Sequence, residues 1–291
     1  MRILKGPKEM QDLANRLRAE GKNIGFVPTM GAFHEGHLSL MQRSRAENEV
    51  SVVSIFVNPT QFCLGEDYEG YPRDTKGDKE KAERVGVDYL FFPSVEDMYP
   101  EGYSTFVNVY NLTETLCGPS RPGHFRGVAT VVTKLFNIVK PHRAYFGQKD
   151  YQQALVIKRM VSDLNMDIEI VVMPIVREKD GLAMSSRNAY LSPKEREAAL
   201  ILSRSLSLAE EMIKAGERDA MVVLREMTKL IERERLAKID YVAICHPESL
   251  EDLERVEDRA LIALAVKIGK ARLIDNCLIT VAGTLSQEKE G

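Results

Sequence analysis

Cysteine is scarce in this chain and never clustered. The four residues, Cys63, Cys117, Cys245 and Cys277, include no pair at the C-x-x-C spacing of a zinc or redox site. That excludes a disulfide-stapled secreted scaffold and points to free thiols in a reducing compartment. A surplus of positive charge is also missing. Lys plus Arg number 40 against 43 Asp plus Glu, a formal net charge of −3, so nucleic acid is not expected as the main partner. No apolar run approaches the roughly 18 residues of a membrane span. The opening segment Met1-Arg2-Ile3-Leu4-Lys5-Gly6-Pro7 holds no apolar core of a signal peptide. The expectation is a cytoplasmic protein with no membrane and no nucleic-acid partner.

What is present is ordinary in bulk. The 291 residues are 44% hydrophobic and 29% charged. A chain of that size can bury a sizeable core without disulfides or a structural metal. At roughly 100–200 residues per domain it makes one large domain or two modest ones.

The order of elements says more than the totals. Residues 7–20 read as a helix, Ile24 to Pro28 as a short strand and residues 37–47 as a helix. Val50 to Val57 is a β-branched, buried strand. Strand, helix and buried strand make a βαβ unit and hence a parallel sheet. The alternation continues with a charged helix at 75–85, a strand at 89–92 and an extended segment at 104–110. A wide apolar helical face follows at 127–139, then a strand at 144–146, a helix at 150–164 and a strand from Ile168 to Val176. The pattern predicts an α/β domain, a Rossmann-like doubly wound parallel sheet over 1–176. A smaller α+β C-terminal domain is predicted over 177–291. It opens on Ser192 as N-cap, Pro193 at N1 and Glu195 completing a capping box. Two charged helices at 193–214 and 217–235 precede strands near 239–245, 260–267 and 273–275. The aperiodic segment 177–191 is the candidate hinge.

Four clusters carry polar groups suited to chemistry. The first, Pro28-Thr29-Met30-Gly31-Ala32-Phe33-His34-Glu35-Gly36-His37, leaves a strand and enters a helix. In open α/β sheets that edge binds ligands, and helix N-termini suit phosphate. His34 and His37, three apart, share one side of the first turn. The segment is neither a Walker A loop nor H-E-x-x-H. A zinc pair without an evident third ligand, or two plain surface histidines, remain as alternative readings. The second cluster, Phe56 to Phe62, puts the neutral amides of Asn58 and Gln61 at the same sheet edge, unless Asn58-Pro59 is merely a turn. The third, Tyr145 to Gln153, offers Lys149 for a phosphate. Asp150 can cap a helix or hold a ribose hydroxyl, and Gln153 lies on the first turn. The fourth, Met184-Ser185-Ser186-Arg187-Asn188, suits a polyphosphate and sits in the candidate hinge, where a loop can close over nucleotide. Arg126 is open between an anion ligand and an anchor at a helix start.

Taken in order, PTMGAFHEGH, SIFVNPTQF, YPRD, PGHFRGVATVV, AYFGQKDYQQ and AMSSRNAYLS resemble the pantoate–β-alanine ligase family of the nucleotidylyltransferase superfamily. The likeness runs from about Pro28 to Ser192, with weaker motifs beyond. It implies ATP with Mg²⁺, a pantoyl-adenylate intermediate, release of AMP and pyrophosphate, and a homodimer. His34, His37, Lys149, Ser185, Ser186 and Arg187 are then the catalytic set. Met30, Gly147, Asp150, Val176 and Met184 join them around ATP. Gln61, Gln153 and Asn58 take pantoate, with Tyr71 nearby. The resemblance assigns no residue to the metal and leaves the β-alanine site open.

Overall fold

The computed structural model describes residues 1–63 and 65–281. The chain forms two units. The first holds Met1–Glu114, Gly118–Glu178 and Met184–Ser186; the second holds Thr115–Cys117, Lys179–Ala183 and the chain from Arg187 onward.

In the first unit the elements run β1 (Arg2–Leu4), α1 (Pro7–Ala19), β2 (Ile24–Thr29), α2 (Glu35–Glu47), β3 (Val50–Ile55), α3 (Thr75–Val85), β4 (Tyr89–Phe91), α4 (Val95–Met98), α5 (His124–Val139), β5 (Arg143–Gly147), α6 (Tyr151–Asp163) and β6 (Glu169–Met173). The six strands form one sheet in the order β1-β4-β3-β2-β5-β6. Every neighbouring pair is parallel. This is the expected doubly wound, Rossmann-like sheet.

Alternation along the strands builds two cores. Phe26, Val52, Phe91, Ala144 and Phe146 face a cluster that takes Met10, Leu13, Ala14 and Leu17 from α1, together with α5 and α6. Val27, Val53, Leu90 and Tyr145 face the opposite cluster with Leu38, Leu40 and Met41 of α2 and Ala82 of α3. The period of two in the strands puts successive side chains on opposite faces, so both faces are covered, as a parallel sheet requires. A polar network lies beneath α2. Ser44 and Ser51 hydroxyls are 2.8 Å apart, and Asn48 Nδ2 donates to Ser44 O and to Tyr145 Oη. A side chain at Gly25 would strike Asn48 and Ser44, so glycine there lets α2 seat closely on β2.

The strand order reverses between β2 and β5. Ligands of open α/β sheets bind at such a switch point, beyond the carboxyl ends of the strands. Here those ends are Thr29 and Gly147.

In the second unit α7 (Pro193–Ala199), α8 (Ile201–Lys214) and α9 (Ala220–Glu232) pack with β7 (Ala237–Cys245), β8 (Arg259–Ile268) and β9 (Ala271–Thr280) around one apolar core. The three strands form an antiparallel sheet. Ser192 and Glu195 make the expected capping box.

Several boundaries differ from the sequence reading. Strand β1 has no sequence signal: three residues beside charged neighbours give too short a pattern, yet they pair with β4. Segment 104–110 joins neither sheet; the Val107 N–H donates instead to Thr130 Oγ1 on α5 at 2.9 Å. The single helix expected over 193–214 is two, because Leu200 N–H reaches back only three residues, to Glu197 O. The third C-terminal strand pairs with β8 along ten residues, far beyond 273–275. In the sequence its alternation is hidden because the polar Asp275 and Asn276 are themselves buried, alongside the apolar Leu273 and Ile279.

Helix α5 approaches the turn Pro59–Gln61 so closely that a Cβ on Gly127 would lie 2.3 Å from Thr60 O and 2.6 Å from Gln61 N. Gly127→Ala must therefore push that turn outward. Urea unfolding should show a loss of about 1–3 kcal/mol, the usual cost of overpacking. Unchanged stability would contradict the contact.

Candidate active site

Beyond β2 the chain turns through Met30, Gly31, Ala32 and Phe33 before α2 begins. Gly31 and Ala32 both have positive φ, 85° and 53°, which glycine adopts freely and alanine rarely. Side chains hold the turn. Thr29 Oγ1 donates to Ser54 O at 2.6 Å and accepts from Gly31 N at 3.2 Å. Asp78 of α3 accepts from Ala32 N at 2.7 Å and Phe33 N at 2.6 Å. Lys81, one turn along, donates to Phe33 O at 2.8 Å.

The turn delivers His34 as the N-cap of α2, with His37 at the third position of the helix. Their ring centroids are 4.1 Å apart. His34 N–H points to His37 Nδ1 at 3.4 Å, which assigns the His37 proton to Nε2. His34 Nδ1 is buried with no hydrogen-bond partner, a condition buried ring nitrogens rarely tolerate without a ligand or water. Burial, then the Lys149 ammonium, holds His34 down to about 4, outweighing Asp150 and Glu178, which act the other way. Burial, His34, Lys149 and Lys81 depress His37 well below the usual histidine range. Both rings are therefore neutral near pH 7. The two share the first turn, as their spacing predicts.

Beyond β5, the neighbour of β2, a short 3-10 turn (Gln148–Asp150) leads into α6. Lys149 is half-buried and Asp150 exposed. Both act electrostatically on His34, Lys149 lowering its pKa and Asp150 raising it. Asp150 stands at the N-cap of α6 but its side chain makes no capping bond, so a plain cap does not account for it. Gln153 lies half-buried on the first turn of α6, and Gly147 ends β5.

Beyond β3, Gln61 Nε2 donates to Met30 Sδ at 3.4 Å, so the second cluster meets the first. Asn58 stands behind it. Its Nδ2 donates to Gln61 Oε1 at 3.0 Å and Gly127 O at 3.2 Å, while its Oδ1 accepts from Thr60 and Tyr99 hydroxyls. The Asn58 amide is thus taken up by protein groups. Asn58 also caps the short turn Pro59–Gln61 that follows the strand, its Oδ1 accepting from Thr60 N, so the turn reading holds and the amide braces Gln61.

The fourth cluster divides. Met184 and Ser186 fall in the first unit and Arg187 in the second. Met184 N–H donates to Val176 O at 3.0 Å. Ser186 Oγ donates to Ala32 O at 3.1 Å, bringing it to the turn before α2. Ser185 lies between them in the chain. Arg126, which the sequence leaves open between two roles, has its guanidinium 3.8 Å over the Phe106 ring. Tyr71 is buried against Phe62.

Two features have little or no signature in the sequence. One is Asp78 with Lys81, hidden in a helix that reads as a charged surface element. The other is a partly buried network at Gln61. Arg121 pairs with both oxygens of Glu66 at 2.6 and 2.8 Å, and its Nη1 lies 2.9 Å from His124 Nε2. His124 Nδ1 is 2.8 Å from Gln61 O. Burial, then Arg121, holds His124 down to about 4. The only sequence signal is Arg121 three residues before His124, the first residue of α5.

The arrangement offers neutral imidazoles at a helix N-terminus, an ammonium, a carboxylate and a buried amide, gathered at one switch point. The sequence model of the family described as pantoate-beta-alanine ligase matches residues 2–278. Pantothenate synthetase of Caldicellulosiruptor bescii is 57% identical over 279 residues, covering 96% of this chain and 99% of the relative. That of Thermotoga neapolitana is 58% identical over 279 residues, covering 96% and 100%. Among solved structures, pantothenate synthetase from Thermus thermophilus superposes with a TM-score of 0.91 at 47% identity, covering 95% of this chain and 99% of that one. Pantoate-beta-alanine ligase from Francisella tularensis, solved with beta-gamma ATP and beta-alanine, gives 0.79 at 37% identity, covering 96% and 97%. By motif order, by fold and by likeness along nearly its whole length, the chain belongs to the pantoate–β-alanine ligase family of enzymes.

Proposed function

We propose that this chain joins pantoate to β-alanine through a pantoyl adenylate, using MgATP as a substrate. The observation that carries the reading is the convergence of His34, His37, Lys149, Met30 and Gln61 at the β2/β5 switch point. A pantoate carboxylate oxygen attacks the α-phosphorus and the bond to the β-phosphate oxygen breaks, releasing pyrophosphate. The β-alanine amine then attacks the acyl carbon, and the acyl–oxygen bond breaks to release AMP.

Phosphoryl transfer of this kind asks for positioning and charge stabilisation more than covalent help. The neutral histidine pair supplies hydrogen-bond donors, and His37 offers its Nε2–H. Lys149 supplies the positive charge. Donors fixed in a site poor in water stabilise developing charge more strongly than they do in solution. Gln61 and Gln153 recognise pantoate as neutral amides, and Asn58 acts through Gln61. Gly147, Asp150, Val176 and Met184 receive the nucleoside. Ser185, Ser186 and Arg187 are assigned to the β- and γ-phosphates. Among the described residues no group of three or more His, Cys, Asp or Glu side chains is placed to hold a metal. The cation is therefore taken to arrive on the nucleotide's phosphates with its own waters. Residues 177–291 are taken as a lid hinged at about 177–191, which would keep water from the adenylate. The working form is taken to be a homodimer in the cytoplasm.

The direct test is pantoate-dependent exchange of labelled pyrophosphate into ATP, with AMP released only when β-alanine is added. A folded, ATP-binding sample that exchanges nothing with pantoate overturns the reading. Lys149→Ala should lower the exchange rate by about 10²–10³-fold, the usual loss for one stabilising group, with little change in Tm. Near-normal exchange would remove Lys149 from the chemistry.

The histidines give a pH test. In the unfolded chain a histidine takes a proton below about pH 6.5, whereas in the fold His34 refuses it until about pH 4 and His37 is held well below the usual histidine range. The His34 contribution to stability is therefore complete above about pH 6.5 and is lost as the pH falls through 4, and that of His37 has the same sign. Histidine ring NMR on the free protein should place the His34 and His124 midpoints near 4 and that of His37 below the ordinary range. Midpoints near 6.5 would contradict the buried, neutral pair.

A further inference from the structure

We propose that Asp78 is a positioning residue for the reaction: its carboxylate clamps the Gly31–Ala32–Phe33 turn and so aims His34 and His37. The inference rests on the ligase reading for its catalytic consequence, but its structural content stands on the first unit alone.

Asp78 sits in the first turn of α3, where an acid is favoured by the helix dipole. Such acids ordinarily face water. This one is only 1% exposed. Burying a carboxylate is costly unless its oxygens are satisfied. Burial accordingly pushes its pKa up, while the N–H groups of Phe33 and Ala32 pull it back down. Each oxygen takes one N–H from the turn, Oδ2 from Ala32 and Oδ1 from Phe33. These donors lie more than forty residues earlier in the chain, so α3 gains nothing local from the arrangement.

The turn needs such a clamp. Ala32 holds φ at 53°, a conformation that persists in an L-residue only where its surroundings impose it. Gly31 is required twice over: its φ is 85°, and a Cβ there would come within 3.0 Å of Asp78 Oδ2 and 3.1 Å of Ile55 Cγ2. Lys81, three residues after Asp78, receives the remaining polar group by donating to Phe33 O. One face of α3 thus satisfies two donors and one acceptor in the residues immediately before the His34 N-cap. The Asp74 N-cap, whose carboxylate accepts from Gly77 N at 3.0 Å, fixes where α3 begins. The Tyr71-Pro72-Arg73-Asp74 motif thereby gains a structural role, since it starts the helix that carries the clamp.

The test compares Asp78→Asn with Met10→Ala, a core truncation on the opposite face of the sheet. Asparagine keeps the shape and one acceptor but turns an NH₂ toward one of the two N–H groups. The expected result is a fall of roughly 10²-fold in kcat/KM for pantoate-dependent exchange, the scale of an ångström's misplacement, carried mainly by kcat. The His37 ring midpoint should move up toward the ordinary range as the turn loosens. Met10→Ala should lower Tm at least as far while leaving the midpoint and kcat in place. Asp78→Asn with kcat/KM within twofold of wild type, or with an unmoved His37 midpoint, overturns the inference. Amide hydrogen exchange on the unaltered protein judges it without any variant. Ala32 and Phe33 amides should be protected like those of β2, and exchange at the rate of an open loop overturns it. Absence of exchange activity in the wild type would sink the ligase reading, while the NMR midpoint and amide protection would still judge the clamp.

Discussion

Between the last residue of β2 and the N-cap of α2 the chain has four residues in which to leave the sheet and start a helix. It does so through two successive left-handed conformations, at Gly31 and Ala32. Much else in the first unit depends on that turn. It places His34 at a helix N-terminus and stacks His37 behind it. It brings Met30 to Gln61 and presents Ala32 O to Ser186. The turn is not self-supporting; Thr29 holds it from the sheet, and Asp78 and Lys81 hold it from α3. The sheet supplies the opposite wall. Because the strand order reverses beside β2, the end of β5 lies next to it and carries Lys149 and Asp150 to the same place.

Burial then divides the electrical work. A pair of histidines beside an ammonium reads, from composition alone, as one basic cluster. In the folded protein the rings are neutral, pressed down by burial and by Lys149. Lys149 carries the positive charge, and the imidazoles act as oriented dipoles. Neutral donors can sit closer to one another than cations and need no reorganisation when charge develops on a phosphate. The same logic governs Gln61 and Asn58. An amide held by a second amide is directional without adding charge, which suits the pantoate-binding role proposed for Gln61.

Much of this is legible in the residues. The βαβ alternation, the strand runs at 24–28 and 50–57, and the capping box at Ser192 follow from periodicity and local chemistry, and the fold bears them out. The four clusters are legible because strand-end glycines and polar residues fall at regular places in that alternation. What stays hidden depends on contacts distant in sequence. Asp78 lies in a helix so charged that nothing local marks one acid as buried. The Arg121–Glu66–His124 network joins residues some sixty positions apart through Gln61 O. Asn58 reads as a ligand amide at a strand end, and only the fold shows its donors already engaged. The helix over 193–214 reads as continuous because its break at Leu200 involves neither proline nor glycine.

The central claim is that the pantoate carboxylate itself attacks the α-phosphorus at the β2/β5 switch point. Pantoate labelled with ¹⁸O in both carboxylate oxygens, turned over with ATP and β-alanine, tests it most directly by mass spectrometry of the products. Attack at the α-phosphorus leaves one labelled oxygen in the AMP phosphate and one in the amide carbonyl of the product. Label in inorganic phosphate or pyrophosphate, or AMP carrying none, would contradict the acyl-adenylate route and the roles built on it.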